Sequence, residues 1–271
     1  QFACSWDRAA NLANAERLVR EAAGRGAQVI LLPELFETPY FCIEQDARHL
    51  ALATTLADNA AVRHFAPIAR ELAVVLPISF FERNVFFNSI AIIDADGVVL
   101  GLYRKAHIPN GPGYQEKNYF SPGDTGFRVW QTRYARLGVG ICWDQWFPES
   151  ARCMALLGAE LLMYPTAIGS EPYDADLDTS RMWRRAMQGH AVSNCMPVIA
   201  ANRIGAEGDA NFYGHSFITD EWGDLTQAFD AAETGVLVET IDLDRAAKHR
   251  AGMGFFRDRR PQLYGRLAED I

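Results

Sequence analysis

Leu137-Gly138-Val139-Gly140-Ile141-Cys142-Trp143-Asp144-Gln145-Trp146-Phe147-Pro148-Glu149 is an apolar, β-prone run with two glycines that stops at a cysteine and turns at once into helix-start chemistry. This reading puts Cys142 at the end of a buried strand, facing a helix N-terminus and flanking backbone N–H groups, a setting expected to lower a thiol pKa from its free value of about 8.5. The same pattern also suits a small buried hydrophobe, the commoner fate of a free cysteine.

Outward from this stretch, strands and helices alternate. Leu12, Ala15, Val19 and Ala22 mark a helix from Asp7 to Gly24, and Ala27 to Leu32 follows as a strand. Glu34 stands straight after it, in Leu31-Leu32-Pro33-Glu34, at the strand end where open α/β sheets keep their chemistry. A helix is expected over Leu56 to Leu72, strands over Val74 to Phe81 and Phe87 to Ile93, and a hairpin through Asp94-Ala95-Asp96-Gly97 into Val98 to Leu102. Lys105 lies just past that strand. The long Gly-, Pro- and aromatic-rich loop over residues 109 to 126 reads as functional. Beyond Cys142 the pattern predicts a helix over Glu149 to Leu157, a strand over Glu160 to Tyr164 and a polar loop from Ile168 to Asp174. A long helix over about Thr179 to Cys195 follows, on which Trp183, Arg184 and Met187 look exposed enough to form a contact surface. Strands are expected at Val198 to Ala201, His215 to Thr219 and Val236 to Ile241, then a short helix near Leu243 to His249 and an arginine-rich tail. With no low-complexity linker or repeat, residues 1–271 read as one α/β domain.

Composition narrows the partners. With 26 basic and 34 acidic residues the net charge is −8, which argues against nucleic acid or an anionic membrane and suits a small cationic ligand. No apolar run is long enough to span a membrane and no signal peptide is evident, so a cytoplasmic protein is expected. The chain opens on Gln1-Phe2-Ala3-Cys4, which reads as the tail of a strand whose start lies upstream. Five scattered cysteines without a C-x-x-C pair, and six histidines without ligand spacing, predict neither disulfides nor a metal, and no cofactor is implied. Cys153 and Cys195 read as buried hydrophobes, and His107, His190 and His215 as structural hydrogen-bonders.

Glu34, Lys105 and Cys142 thus each follow a strand, and a base, a cation and a thiol are the parts required for nucleophilic attack on an acyl carbon. Here the chain resembles the nitrilase (carbon-nitrogen hydrolase) superfamily. Its Glu-Lys-Cys motifs match Leu32-Pro33-Glu34, Tyr103-Arg104-Lys105 and Gly140-Ile141-Cys142-Trp143-Asp144, in order and across the whole chain. The resemblance implies a four-layer αββα sandwich, a cysteine nucleophile, and Glu116 as a second active-site glutamate near Lys105. It also implies self-association through the Thr179 to Cys195 helix and the tail from about residue 250 to 271, hence a homo-oligomer.

Longer stretches, among them Ile168-Gly169-Ser170-Glu171-Pro172, Asn202-Arg203-Ile204-Gly205 and Tyr213-Gly214-His215-Ser216-Phe217, resemble the branch of the superfamily that hydrolyses carbamoylated diamines. That implies a small cationic ureido substrate, with Glu171 as the candidate for its distal ammonium. Tyr40, Asn110, Tyr114, Trp143 and Trp146 are candidate pocket residues, Trp143 through its backbone N–H. Anionic ureido substrates such as β-ureidopropionate or a carbamoyl amino acid would want Arg or Lys where the loop offers Glu171 and Asp174. An ω-amide hydrolase, a non-catalytic scaffold and a redox thiol protein are the remaining alternatives.

Overall fold

The computed structural model describes residues 1–174, 176–230 and 233–269. Asp7 accepts a hydrogen bond from the Ala10 N–H and so caps α1 (Arg8–Gly24). The segment that follows is extended and tied to Val75 through a parallel bridge at Val29. Asn59, whose side chain accepts from Val62 N, opens α2 (Ala60–Leu72) a few residues later than the periodicity suggests. Then come β1 (Leu76–Glu82), β2 (Phe87–Ile93), β3 (Val99–Arg104), β4 (Val129–Gln131) and β5 (Arg136–Val139). Next are α3 (Pro148–Leu156), β6 (Leu161–Pro165), α4 (Ser180–Asn194), β7 (Val198–Ala201), β8 (Ile204–Glu207) and β9 (Ala210–Tyr213). The chain closes with β10 (Phe217–Thr219), β11 (Leu225–Ala228) and α5 (Leu243–Met253).

Strands β1, β2 and β3 form one antiparallel sheet. A second sheet runs β11-β10-β7-β6-β5-β4, parallel at its β5-β6-β7 centre and antiparallel outside it. The strand period of two sorts their side chains into three apolar layers. Ile90, Ile92 and Tyr103 of the first sheet face Leu137, Val139, Leu161 and Met163 of the second. The alternate residues Ile78, Phe80, Ala91 and Ile93 meet Leu18 and Val19 of α1 and Phe65 and Ile68 of α2. On the far side Leu162, Tyr164, Val198 and Phe217 meet Met154 of α3 and Trp183 and Met187 of α4. Helix, sheet, sheet, helix is therefore the layer order. It explains why β1, β2 and β6 are buried at every position rather than at every second one.

Four expectations need correction, the first being Ala27 to Leu32, which forms only the isolated bridge at Val29 and no strand. Trp183 and Met187 are fully buried beneath α4, and Arg184 is half-buried, donating to the carbonyls of His215 and Phe229; the exposed apolar residues of that helix are Met182 and Val192. Cys153 is exposed, whereas Cys195 is buried. Residues Val236 to Ile241 form no strand; they run along a cavity of about 250 Å³ lined also by Val29, Ile30 and Phe217. The β8-β9 hairpin was not foreseen, although Gly208 at φ +55° supplies the left-handed residue its tight turn needs.

Much of the long loop after β3 is clamped to the sheet. Gly123 N donates to the Lys105 carbonyl at 2.8 Å, and a Cβ on Gly123 would lie 2.1 Å from the Arg104 carbonyl oxygen. Gly123→Ala is expected to destabilise the protein by about 1–3 kcal/mol through this backbone clash, measured as a fall in the denaturation midpoint; an unchanged midpoint would show that the loop is free to move off.

Candidate active site

Glu34, Lys105 and Cys142 lie at three separate places in the chain, each where an extended run gives way to a turn. Glu34 follows the segment bridged to Val75, Lys105 follows β3, and Cys142 opens a short 3-10 turn over Cys142–Trp146. All three are shut away from solvent. Two of the turns need a non-glycine residue in the left-handed region: Leu35, just after Glu34, at φ +47°, and Cys142 itself at φ +40°. Such conformations cost on the order of 1 kcal/mol or more and persist only when their surroundings hold them.

The surroundings do hold them. Leu35 N donates to Ser79 Oγ at 3.0 Å. On the Cys142 side, the buried Asp144 carboxylate accepts from Ile141 N at 2.9 Å and Tyr103 OH at 2.8 Å. Its other oxygen accepts from His107 N at 3.0 Å and His107 Nδ1 at 2.7 Å. One carboxylate thereby ties the cysteine turn to the residues flanking Lys105. Gly140 is required for the close fit, since a Cβ there would sit 2.9 Å from the Tyr164 ring and 3.2 Å from Asp144 Cβ.

At the centre, Lys105 Nζ donates to Glu34 Oε1 at 2.9 Å and to both oxygens of Glu116 at 2.7 Å. Glu116 sits in a 3-10 turn over Glu116–Asn118 and also accepts from the Tyr40 hydroxyl. Asn88 Nδ2 donates to Glu34 Oε1 at 2.7 Å, whereas Glu34 Oε2 is buried with no hydrogen-bond partner. The Cys142 thiol donates to the Ala167 carbonyl at 3.6 Å.

Electrostatics follow from burial. Desolvation works to lower the Lys105 pKa, but Glu116 and then Glu34 outweigh it and hold the ammonium above its ordinary value. Burial pushes Glu116 up to about 7 against the pull of Lys105. Burial, and after it the Glu34 charge, pushes the Cys142 thiol well above the usual range, with Lys105 opposing. The lowered thiol pKa expected from the turn is therefore overturned: burial and the Glu34 charge both favour the protonated thiol.

The other candidate residues divide. Tyr40 is buried and packs 6.0 Å from the Tyr114 ring, while the Tyr114 hydroxyl accepts from Gly169 N at 2.8 Å and donates to the Ser170 carbonyl at 3.2 Å. Trp143 and Trp146 stand edge to face at 6.3 Å, Trp143 being partly exposed, and Asn110 is exposed. Glu171 is half-buried, accepts from Thr179 Oγ1 at 3.3 Å, and is raised in pKa by that burial. Burial raises the Tyr114 and Tyr213 hydroxyls in pKa, and the charges of Glu171 and Cys142 add to it. At the surface, Glu44, Asp46 and His49 bring ligand-type atoms together, with Asp46 already engaged by Arg48.

Sequence reasoning missed Asn88, Asp144 and Arg203 as parts of the site. Asn88 and Arg203 carried a signal, a polar residue next to or within an apolar strand run, because a buried polar group in such a place must have a partner. Asp144 looked like helix-start chemistry alone.

Residues 1–251 match the sequence profile of the carbon-nitrogen hydrolase family. The chain is 55% identical to an N-carbamoylputrescine amidase of Solanum lycopersicum over 97% of its own length and 91% of the relative's. It is 50% identical to a citrullinase of Francisella tularensis over 98% and 96% of the two chains. A carbon-nitrogen hydrolase from Helicobacter pylori G27 superposes with a TM-score of 0.93 at 35% identity, covering 99% of this chain and 96% of that one. A buried Glu-Lys-Glu cluster beside a cysteine on a left-handed turn, carried by a four-layer α/β sandwich, is thus the site of a hydrolase acting on amides, and the chain belongs to the carbon-nitrogen hydrolase family.

Proposed function

We propose that this enzyme hydrolyses N-carbamoylputrescine to putrescine, carbon dioxide and ammonia. The observation that carries the choice of substrate is Glu171, a half-buried carboxylate with one hydroxyl donor, on the loop whose Ala167 carbonyl accepts the Cys142 thiol and whose Ser170 carbonyl accepts the Tyr114 hydroxyl. A carboxylate in that position fits an alkyl-ammonium tail and disfavours an anionic one. The 55% identity to an N-carbamoylputrescine amidase supports the same reading. The citrullinase likeness favours a second one, since citrulline presents the same ureido group on a tail that carries both an ammonium and a carboxylate.

In the proposed reaction Glu34 takes the Cys142 proton and the sulfur attacks the ureido carbonyl carbon. The oxygen becomes an oxyanion, met by Lys105 and by the Trp143 N–H, which as a first-turn donor has no partner inside its own 3-10 turn. A C–N bond then breaks, the departing nitrogen takes the proton from Glu34, and an S-thiocarbamate remains on Cys142. Glu34 next deprotonates a water that attacks that carbon, the C–S bond breaks as the proton returns to sulfur, and the carbamic acid released loses carbon dioxide, which frees the second nitrogen. Glu116 holds Lys105 and orients substrate or water, and the enzyme works as a homo-oligomer without metal or cofactor.

Ammonia release should be fastest from N-carbamoylputrescine in a panel with citrulline, β-ureidopropionate and a carbamoyl amino acid, and absent in Cys142→Ala. Glu171→Gln should raise KM for the cationic substrate about tenfold, the worth of one charge-assisted contact. Faster turnover of an anionic substrate would sink the ammonium assignment. Lys105→Met should lower kcat by about 10²–10³-fold, the typical loss for one oxyanion donor.

The pH profile tests Glu116. The Tyr40 hydroxyl stabilises the ionised carboxylate, so Tyr40→Phe must raise Glu116 above its value of about 7. If ionised Glu116 is the working form, the acid limb of kcat moves to higher pH in this variant. A limb that stays put would remove Glu116 ionisation from the reaction.

A further inference from the structure

Asn202 and Arg203, at the end of β7, are both fully buried, and the mechanism above gives neither a task. Arg203 lies under the loop that carries Glu34. Its Nη2 donates to the backbone carbonyls of Glu34 at 2.7 Å and Leu35 at 3.1 Å, and its Nη1 to that of Thr38 at 3.2 Å. Nη1 also pairs with Glu207 at 3.0 Å, and Glu207 in turn accepts the Tyr40 N–H. The guanidinium is flanked by the rings of Tyr40 and Phe212 at 5.8 and 5.5 Å. The loop is therefore held at both ends: at Glu34, and at Tyr40, whose hydroxyl reaches Glu116.

Asn202 does the corresponding work on the other side. Its Nδ2 donates to the Ile168 and Gly214 carbonyls, each at 2.8 Å, and its Oδ1 accepts from Ile168 N at 3.0 Å and Arg203 N at 2.9 Å. Both backbone groups of Ile168 are thus fixed by one side chain, just beyond the β6-β7 pairing that ends at Pro165 and Ala201. The residue before Ile168 is Ala167, whose carbonyl accepts the Cys142 thiol.

We propose that Asn202 and Arg203 are positioning residues that act as one brace, setting the base against the nucleophile. Arg203 fixes the backbone on which Glu34 stands, including the left-handed Leu35, and Asn202 fixes the wall on which the Cys142 sulfur rests. Their adjacency makes the two placements a single one, because a shift of the end of β7 moves both. Lysine cannot replace the arginine: a point-like ammonium lacks the planar fork that serves three carbonyls and a carboxylate together. This inference rests on the assignment of Glu34 as base and Cys142 as nucleophile.

The test compares Arg203→Lys, Asn202→Ser and Glu207→Gln with the wild type and with Glu34→Gln. It reads kcat and KM per folded site, and the rate of Cys142 alkylation by iodoacetamide from pH 6 to 10, with Cys142→Ala as blank. Misplacing the base should lower kcat about 10–100-fold with KM within about threefold, and should slow alkylation at pH 7 while leaving it near the wild-type rate at pH 10, where hydroxide replaces the base. Glu207→Gln, a milder change that leaves Arg203 in place, should move both readouts the same way by less, and it decides the matter if Arg203→Lys does not fold. Wild-type kcat per folded site with an unmoved alkylation profile would reduce the pair to structural packing and overturn the proposal. An alkylation profile unmoved in Glu34→Gln would show instead that the base assignment underneath it is at fault.

Discussion

The site depends on one buried ammonium held between two carboxylates. Lys105 Nζ has three protons and three oxygen contacts, one on Glu34 and two on Glu116, at 2.7 to 2.9 Å. An isolated ammonium so deeply buried would give up its proton, and two carboxylates so close would force one another's pKa up. Together they compensate, and the residual mismatch falls on Glu116, which burial leaves near 7. Breaking a cluster of this kind from one side strands charge in an apolar interior, so its members are fixed as a set.

The fold is arranged to deliver these groups. Glu34, Lys105 and Cys142 come from separate turns, and each turn is pinned by hydrogen bonds to another part of the chain. Asn88 of β2 holds the Glu34 carboxylate, Asp144 joins the cysteine turn to the Lys105 flank, and Gly123 locks the following loop onto the Lys105 backbone. The two-sheet interior makes this possible. Helices cover both outer faces, so even the positions that would face solvent in a half-buried sheet are dry, and a polar group among them keeps only the partners given to it.

What the sequence made legible was local. An apolar run that ends in Glu, Lys or Cys can be read from neighbours alone, and the helices over residues 8–24 and 180–194 followed from period and caps. Glu116 became visible only through family resemblance, because its loop has no periodicity. Arg203 and Asn88 could not be assigned, since their partners are the Glu34 backbone and side chain, brought near by the tertiary fold. The thiol was misread for the same reason: the turn is local and speaks for a lowered pKa, while the burial and the Glu34 charge that reverse it are not. Trp183 and Met187 were misread against a signal that was present, because their four-residue spacing continues to Ala191 as one apolar stripe on α4, the face that packs on the sheet.

A resting thiol in place of a thiolate has a consequence for the energetics of attack. Were Cys142 ionised beforehand, the pocket would hold a third anion beside two carboxylates, with a single cation to balance them. With the proton still on sulfur, its transfer to Glu34 neutralises one carboxylate at the moment the negative charge passes through sulfur to the carbonyl oxygen. In the proposed reaction Lys105 then exchanges the Glu34 oxygen for the oxyanion, and the number of buried charges is the same before and after. Charge that only moves between sites already lined with donors needs little reorganisation, which is how a fixed, dry site can favour a transition state over its ground state. The high thiol pKa is thus compatible with the proposed chemistry and contributes to it, with one Glu34 oxygen free of other partners and the backbone beneath it held by Arg203.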